Sequence, residues 1–392
     1  MSGVSTRLKW AVLVCTLATI AIGATWNKVY MDTRIEQVAQ RLVLLSNLRR
    51  DALEEFFATA EAELRFWSIN KGILEQQASL VQDWISYSRL EGNPETTLQD
   101  LYIYGNPYPW GELHKLNNAY DGSRYSEIHA RLHPMARLFV TERGYYDFFL
   151  IAPEGDVLYS VAKEKDFATN LNSGDWRDTG LAQVFHRALE TAREDSVVIS
   201  DMSPYGPSND EPAIFMAKAM LGVKGEVLGV LALQLPTGKI TDIMNFRTGM
   251  GKSGETYAVG EDLLMRSNSR FSDTSTVLQT KVDTPTVRQA LDGKEGVAFT
   301  ADYRGVEVLS AYTQSRTDGF SWAVMAEIDR DEILEMAADE RPAIGSIMLF
   351  LYGLSLWSLW FGSRNSDDEV LSVLADLDFE GGDPGDGGAG AS

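Results

Sequence analysis

The pattern of apolar and polar positions changes character several times along the chain. Two runs carry no charge: residues 10–27 (WAVLVCTLATIAIGATWN) and residues 342–363 (PAIGSIMLFLYGLSLWSLWFGS). A spanning helix takes about 20 mainly apolar residues, so the second run qualifies and the first sits at the short end. Trp10, Trp26, Trp357 and Trp360 stand near the run ends, where indole rings favour the headgroup level. Between the runs, Ile35, Val38, Leu42 and Leu45 recur at helical spacing, and Arg49, Ala52 and Phe56 continue the register. No Gly or Pro interrupts this stretch, so residues 28–70 read as one long stalk helix. Its apolar seam could pack on its own domain alone or also form a homodimer contact.

From about residue 100 the pattern shortens to strands and turns. YYDFFLIAPEGDVLYSVA reads as a hairpin turning at Pro153-Glu154-Gly155-Asp156, and residues 181–192 have helical spacing. Three strand-like runs follow: DSVVISDMSPY, AIFMAKAML and EVLGVLALQLP. Residues 241–340 repeat hairpin, helix and three strands in shorter form. The predicted fold is therefore α+β, with two tandem antiparallel-sheet modules on a long N-terminal helix, flanked by two transmembrane helices. The expected boundaries are a stub at 1–9, a span at 10–27, the stalk at 28–70, a membrane-distal module at 71–240, a membrane-proximal module at 241–341, a second span at 342–363 and an acidic, Gly-rich tail at 364–392.

The formal net charge of −21 disfavours nucleic acid and anionic lipid as partners. Arg7 and Lys9 ahead of the first run argue for a cytoplasmic N-terminus. The expectation is a two-pass bacterial inner-membrane protein with a large periplasmic domain and both termini cytoplasmic. A retained anchor is expected rather than a cleaved leader, because Ile22 spoils the small-x-small site ending at Ala24. The single cysteine, Cys15, falls inside the first run, so the exported region must hold itself by its core.

Motifs for catalysis are scarce. GMGKSGETYAVG contains Gly251-Lys252-Ser253, but a phosphate loop would need a glycine where Phe246 stands, so the segment reads as a turn entering a strand. His129 and His133 lie four apart with Pro134 following. With no third ligand nearby they are expected to be surface polar residues rather than a metal site. No G-x-S-x-G occurs, and no enzyme activity or cofactor is expected.

Several segments together carry a resemblance: GYYDFFLIAPEGDVLYSVAKEKDFATNL, ISDMSPYGPSNDEPAIFMA, VLGVLALQLP, GKSGETYAVG and DYRGVEVLSAYT…WAVMAEID. In this order over residues 28–342 the chain resembles the double Cache sensor domains of bacterial chemoreceptors and membrane-bound cyclases and kinases. It departs from them in one turn, where Leu263 follows Asp262 in place of the usual glycine. The resemblance implies a small ligand held in the distal module, with Tyr146, Asp147, Trp176, Arg177, Asp201, Tyr205 and Gln234 at the matching positions. The amino-acid-binding subset carries an Arg-x-Trp-Tyr segment and a late Asp. Here Asp175-Trp176-Arg177-Asp178 and Gln234 replace them, which leaves an organic acid paired to Arg177, a neutral compound or another metabolite open as ligand. No output domain follows the second run, so the expected partner is a separate signalling protein, and the stripe Val370, Leu371, Leu374 and Leu377 could dock it. A structural or assembly subunit of a membrane complex is the alternative.

Overall fold

The computed structural model describes residues 6–90, 93–194, 196–339 and 345–361. The tail and its apolar stripe lie outside the described residues. The chain divides into two compact units, residues 39–330 and the flanking segments 1–38 and 331–392. In chain order the elements are α1 (Thr6–Ser68), α2 (Lys71–Leu90), α3 (Pro94–Gln99), α4 (Arg124–Arg143), β1 (Asp147–Ile151), β2 (Val157–Ser160), α5 (Gly180–Glu190), β3 (Val197–Ile199), β4 (Ser203–Tyr205), β5 (Glu211–Ala213), β6 (Phe215–Leu221) and β7 (Val227–Gln234). They continue with α6 (Thr237–Met244), β8 (Glu255–Val259), α7 (Pro285–Leu291), β9 (Gly296–Ala301), β10 (Glu307–Arg316), β11 (Ser321–Asp329), α8 (Arg330–Asp339) and α9 (Gly345–Phe361).

Within residues 39–330, two antiparallel sheets carry the fold: a five-stranded sheet in the order β2-β1-β7-β6-β3 and a four-stranded sheet in the order β8-β11-β10-β9. A small β4-β5 hairpin accompanies the first. β1 is buried along its whole length because both faces of the sheet are covered. Phe148 and Leu150 join a core shared with α1, α2 and α4, while Phe149 and Ile151 join a second core under α5. β7 alternates in the same way, with Leu231 and Leu233 on the first side and Val230 and Ala232 on the second.

The long helix appears as expected; Val38, Leu42 and Arg49 of the predicted seam are buried, while the rest of the buried face runs beside the predicted positions. Leu42, Ser46, Arg49, Leu53, Phe57, Ala60, Leu64 and Trp67 are buried on α1. Leu45, Ala52 and Phe56 are only half-buried on its flank. This stretch packs on its own domain: Phe57 meets Phe320 and Trp322 at ring-centroid distances of 5.7 Å. Helix α4 lies where strands and turns were read. Ser123 caps its start, accepting from the Ser126 N–H, and Gly144 ends it at φ 74°. Pro134 removes one interior hydrogen bond from α4, and the helix continues past it.

The second module follows the sequence reading closely. Thr284 caps α7 through the Val287 N–H, and Pro285 supplies its first turn. Gly249 and Gly251 hold positive φ values of 84° and 65° in the turn before β8, which accounts for the Gly-Lys-Ser letters without a phosphate. Leu263 occupies the left-handed region at φ 67°, a conformation that costs an L-residue about 1–2 kcal/mol. Its side chain packs beside the core of Tyr257, Met265 and Val282, which offsets that strain.

In the flanking unit, α1 is the one helix among the described residues that is long and apolar enough to cross a membrane. α9 is a shorter apolar helix, and the Thr16 and Tyr352 hydroxyls hydrogen-bond at 2.8 Å between the two.

Candidate ligand-binding site

The first residue of β1 and the last of β7 face each other: Asp147 pairs with Gln234, and Gln234 pairs in turn with Phe215 of β6. Period-2 alternation places Asp147 and Gln234 on the same sheet face as Phe149 and Ala232, the face covered by α5. The β2–α5 connection and the β4–β5 hairpin close over these strand ends. Tyr205 donates its hydroxyl to Asp166 Oδ2 at 2.5 Å and packs its ring on Phe215 at 4.7 Å. Asp147 Oδ1 accepts from the N–H groups of Phe148, Val161 and Ala162 at 2.7, 2.7 and 3.0 Å. Lys163, held at φ 62°, directs its ammonium to the Ser160 carbonyl and over the Tyr159 ring at 4.3 Å. Glu164 accepts from the Tyr146 hydroxyl at 2.7 Å and from Ser208 Oγ at 2.5 Å.

Burial sets the electrostatics. Asp166 is pushed up to about 7, mainly by desolvation, while the Tyr205 hydrogen bond opposes the rise. Asp147 is also raised, by burial first and by the neighbouring Asp166 second, against its backbone hydrogen bonds. Burial pushes Lys163 down, and the two carboxylates pull it back. Two buried acceptors, Asp166 Oδ1 and Gln234 Oε1, have no hydrogen-bond partner among the described residues. An unsatisfied buried acceptor costs about 1–3 kcal/mol, so both atoms point to a missing donor.

The Cache domain family model matches residues 32–337. The chain belongs to the Cache domain family. Among solved structures it is similar to the ligand-binding domain of the Campylobacter jejuni chemoreceptor Tlp3, in complex with 4-methylisoleucine, at 12% identity and TM-score 0.44, covering 78% of this chain and 94% of that one. It is also similar to the ligand-binding domain of the Pseudomonas fluorescens chemoreceptor CtaA with L-serine, at 15% identity and TM-score 0.36, covering 66% and 94%. A third is that of the Pseudomonas aeruginosa PAO1 amino acid chemoreceptor PctC with GABA, at 16% identity and TM-score 0.36, covering 62% and 98%. No curated protein matches the chain by sequence.

In this Cache chain the seven sequence-selected residues separate into groups. Asp147 and Tyr205 come together around Asp166, and Gln234 stands beside Asp147 on the same sheet face. Trp176 borders them, donating its indole N–H to the Lys165 carbonyl at 3.2 Å and lying against Gly206. Tyr146 is nearly half exposed; its backbone N–H donates to the Gln234 carbonyl at 3.0 Å, while its hydroxyl turns to Glu164. Arg177 is exposed, donating to the Gly174 carbonyl and lying beside Asp178, so it is poorly placed to clamp an acid in the interior. Asp201 lies at the junction of the two sheet modules, where it accepts from Arg266 and from the Trp322 indole. Lys163, Glu164 and Asp166 were missed, because Lys-Glu-Lys-Asp in sequence reads as a solvated turn. The positive φ at Lys163, which turns the run inward, has no signature in composition.

The expectation of surface histidines is corrected. His129 and His133 are both fully buried on α4, with rings stacked at 4.5 Å. His133 bonds the Tyr159 hydroxyl and the His114 carbonyl, both at 2.6 Å, and His129 bonds the Asn117 carbonyl at 2.8 Å. Burial pushes His133 down to about 3 and His129 down as well, so both are neutral. They serve the core as hydrogen-bonding rings. No group of three metal-ligating side chains occurs among the described residues.

The close approach of Trp176 to Gly206 gives a direct test. A Cβ at position 206 would lie 2.6 Å from the indole ring. Gly206→Ala should therefore displace Trp176, destabilise the chain by about 1–3 kcal/mol in urea denaturation, and blue- or red-shift Trp fluorescence. An unchanged midpoint and spectrum would show that the indole does not sit there.

Proposed function

We propose that this chain is a membrane-anchored sensor whose distal module binds a small amine-bearing metabolite at Asp166 and Gln234. The observation that carries this reading is the pair of buried acceptors without a donor, set in a cluster where carboxylates outnumber the one lysine. An ammonium or amine satisfies both acceptors and compensates the buried charge. The exposed position of Arg177 favours an amine over the organic acid considered from sequence. The chain acts by binding and conformational change rather than catalysis. The apolar N-terminal part of α1 and α9 serve as the two spans, with the sheet modules outside the inner membrane and both termini in the cytoplasm. Ligand contact at the strand ends shifts packing on α1, where Trp67 meets Phe148 at 5.5 Å, and α1 carries the change to the membrane for a separate signalling protein to read.

The test is a thermal-shift and calorimetric screen of the purified full chain against amino acids, amines and dicarboxylates. An amine should stabilise the chain, by about 2.7 kcal/mol at 100 times its Kd. Asp166→Asn and Gln234→Leu should each remove that effect. Affinity should fall as the pH drops through about 7, because Asp166 then takes a proton and loses its charge. Binding by dicarboxylates alone, or amine binding that survives both substitutions, would sink the reading.

A further inference from the structure

We propose that a cleft beside Glu164, bordering the Asp166–Gln234 cluster, is a second binding site that takes a small quaternary ammonium ion. The cleft has a volume of about 480 Å³. That falls within the usual range of small-ligand sites. Its wall is built by Trp110 and His114 of the segment before α4, Val140 at the end of α4, Tyr145 and Tyr146 leading into β1, and Glu164.

Three observations select the ligand chemistry. The first is aromatic surface. Trp110 is 59% exposed and Tyr146 46% exposed, so two large rings of the cleft wall face solvent rather than the core. Aromatic faces attract a cation by about 0.5–1 kcal/mol each where exposed, and by about 2 kcal/mol where water is excluded.

The second is charge. Glu164 is the one carboxylate in the lining, and no lysine or arginine lines the cleft among the described residues. His114 adds no positive charge near neutral pH, because burial, with Arg137 and Lys115 next, pushes its imidazole down. Arg143 at the end of α4 is tied to Glu63 at 2.9 Å.

The third is that the tyrosine hydroxyls and the carboxylate of the cleft are already engaged. Tyr145 donates its hydroxyl to Glu63 at 2.8 Å, and Tyr146 donates to Glu164. The second oxygen of Glu164 accepts from Ser208. The cleft therefore offers negative charge and ring surface, with its carboxylate oxygens already engaged. A cation sheathed in methyl groups needs no N–H acceptor and fits that chemistry. The inner cluster is the reverse case, since its orphan acceptors call for N–H donors.

The probe is choline, titrated into the purified full chain and followed by calorimetry and tryptophan fluorescence, with 3,3-dimethylbutan-1-ol as its uncharged carbon isostere. Choline should bind saturably, and the isostere about tenfold more weakly. Glu164→Gln should weaken choline about tenfold. Trp110→Ala, at an exposed position where folding is not at stake, should weaken it about fivefold. The proposal is overturned by an absence of saturable choline binding, by an isostere that binds as tightly as choline, or by choline affinity that is unchanged in the Trp110→Ala chain.

Discussion

Asp201→Ala should be a strongly destabilising single change, at about 2–3 kcal/mol. Asp201 belongs to the distal module and binds the proximal one. Its Oδ2 accepts from Arg266 Nη2 at 2.8 Å, and its Oδ1 accepts from Arg266 Nε at 3.2 Å and from the Trp322 indole at 2.8 Å. Arg266 is 1% exposed, so removing Asp201 leaves a guanidinium buried with Asp262 as its remaining carboxylate. It also leaves the Trp322 N–H without an acceptor. Trp322→Phe loses one hydrogen bond and should cost only about 1 kcal/mol, which separates the ionic contribution from the neutral one. Urea denaturation of the full chain, followed by far-UV circular dichroism, measures both. The contact joins the two sheets, so the Asp201→Ala chain should also unfold in two steps where the parent unfolds in one. A shift below about 1 kcal/mol for Asp201→Ala would show that the junction is held elsewhere, for example by Arg187, which donates to the Asp318 carbonyl at 3.4 Å.

That residue also shows where sequence reading stops. Asp201 was selected as a ligand contact because it stands in SDMSPYG, four residues before Tyr205. The local pattern was right about the turn and silent about Arg266, which lies in another module. Strands were legible wherever burial imposes a period, as in VLGVLALQLP, whose residues alternate between two cores. Turns were legible where they demand a residue type, as at Gly225 with φ 80° and Gly305 with φ 78°. Helix α4 was not, because its apolar stripe is broken by His129 and His133, and Pro134 argues against a helix. Those histidines are buried because Tyr159 and the backbone carbonyls of His114 and Asn117 bond three of their four ring nitrogens, and such partners are distant in sequence. The binding cluster divides in the same way. Asp147, Tyr205 and Gln234 stand at strand ends and could be found. Asp166 could not, since only the inward turn at Lys163 distinguishes it from a solvated charge.

Asp166→Asn should make the unliganded chain more stable at pH 8 while abolishing amine binding. In the folded chain the Asp166 carboxyl titrates at about 7, against an ordinary value of 3.8. Between those values the native state keeps a proton that the unfolded chain has released. The stabilisation from this group is therefore complete below about pH 4 and is lost as the pH rises to about 7, the reverse of the usual salt-bridged aspartate. At about 1.4 kcal/mol per unit, the shift corresponds to a few kcal/mol at most, shared with Asp147 and Lys163 in the same cluster. Asparagine keeps an oxygen for the Tyr205 hydroxyl and carries no charge to desolvate, so that loss with pH should largely vanish. Lys163→Met should also stabilise the chain near pH 7, because burial disfavours the ammonium. Urea midpoints for the three chains at pH 4, 6 and 8 measure the effect. A parent chain that gains stability from pH 4 to 8 more steeply than the Asp166→Asn chain would mean that Asp166 is paired rather than held at a cost. A carboxylate that weakens the empty fold and is needed once the ligand arrives belongs to a binding site, and this combination distinguishes it from an acid that merely supports the structure.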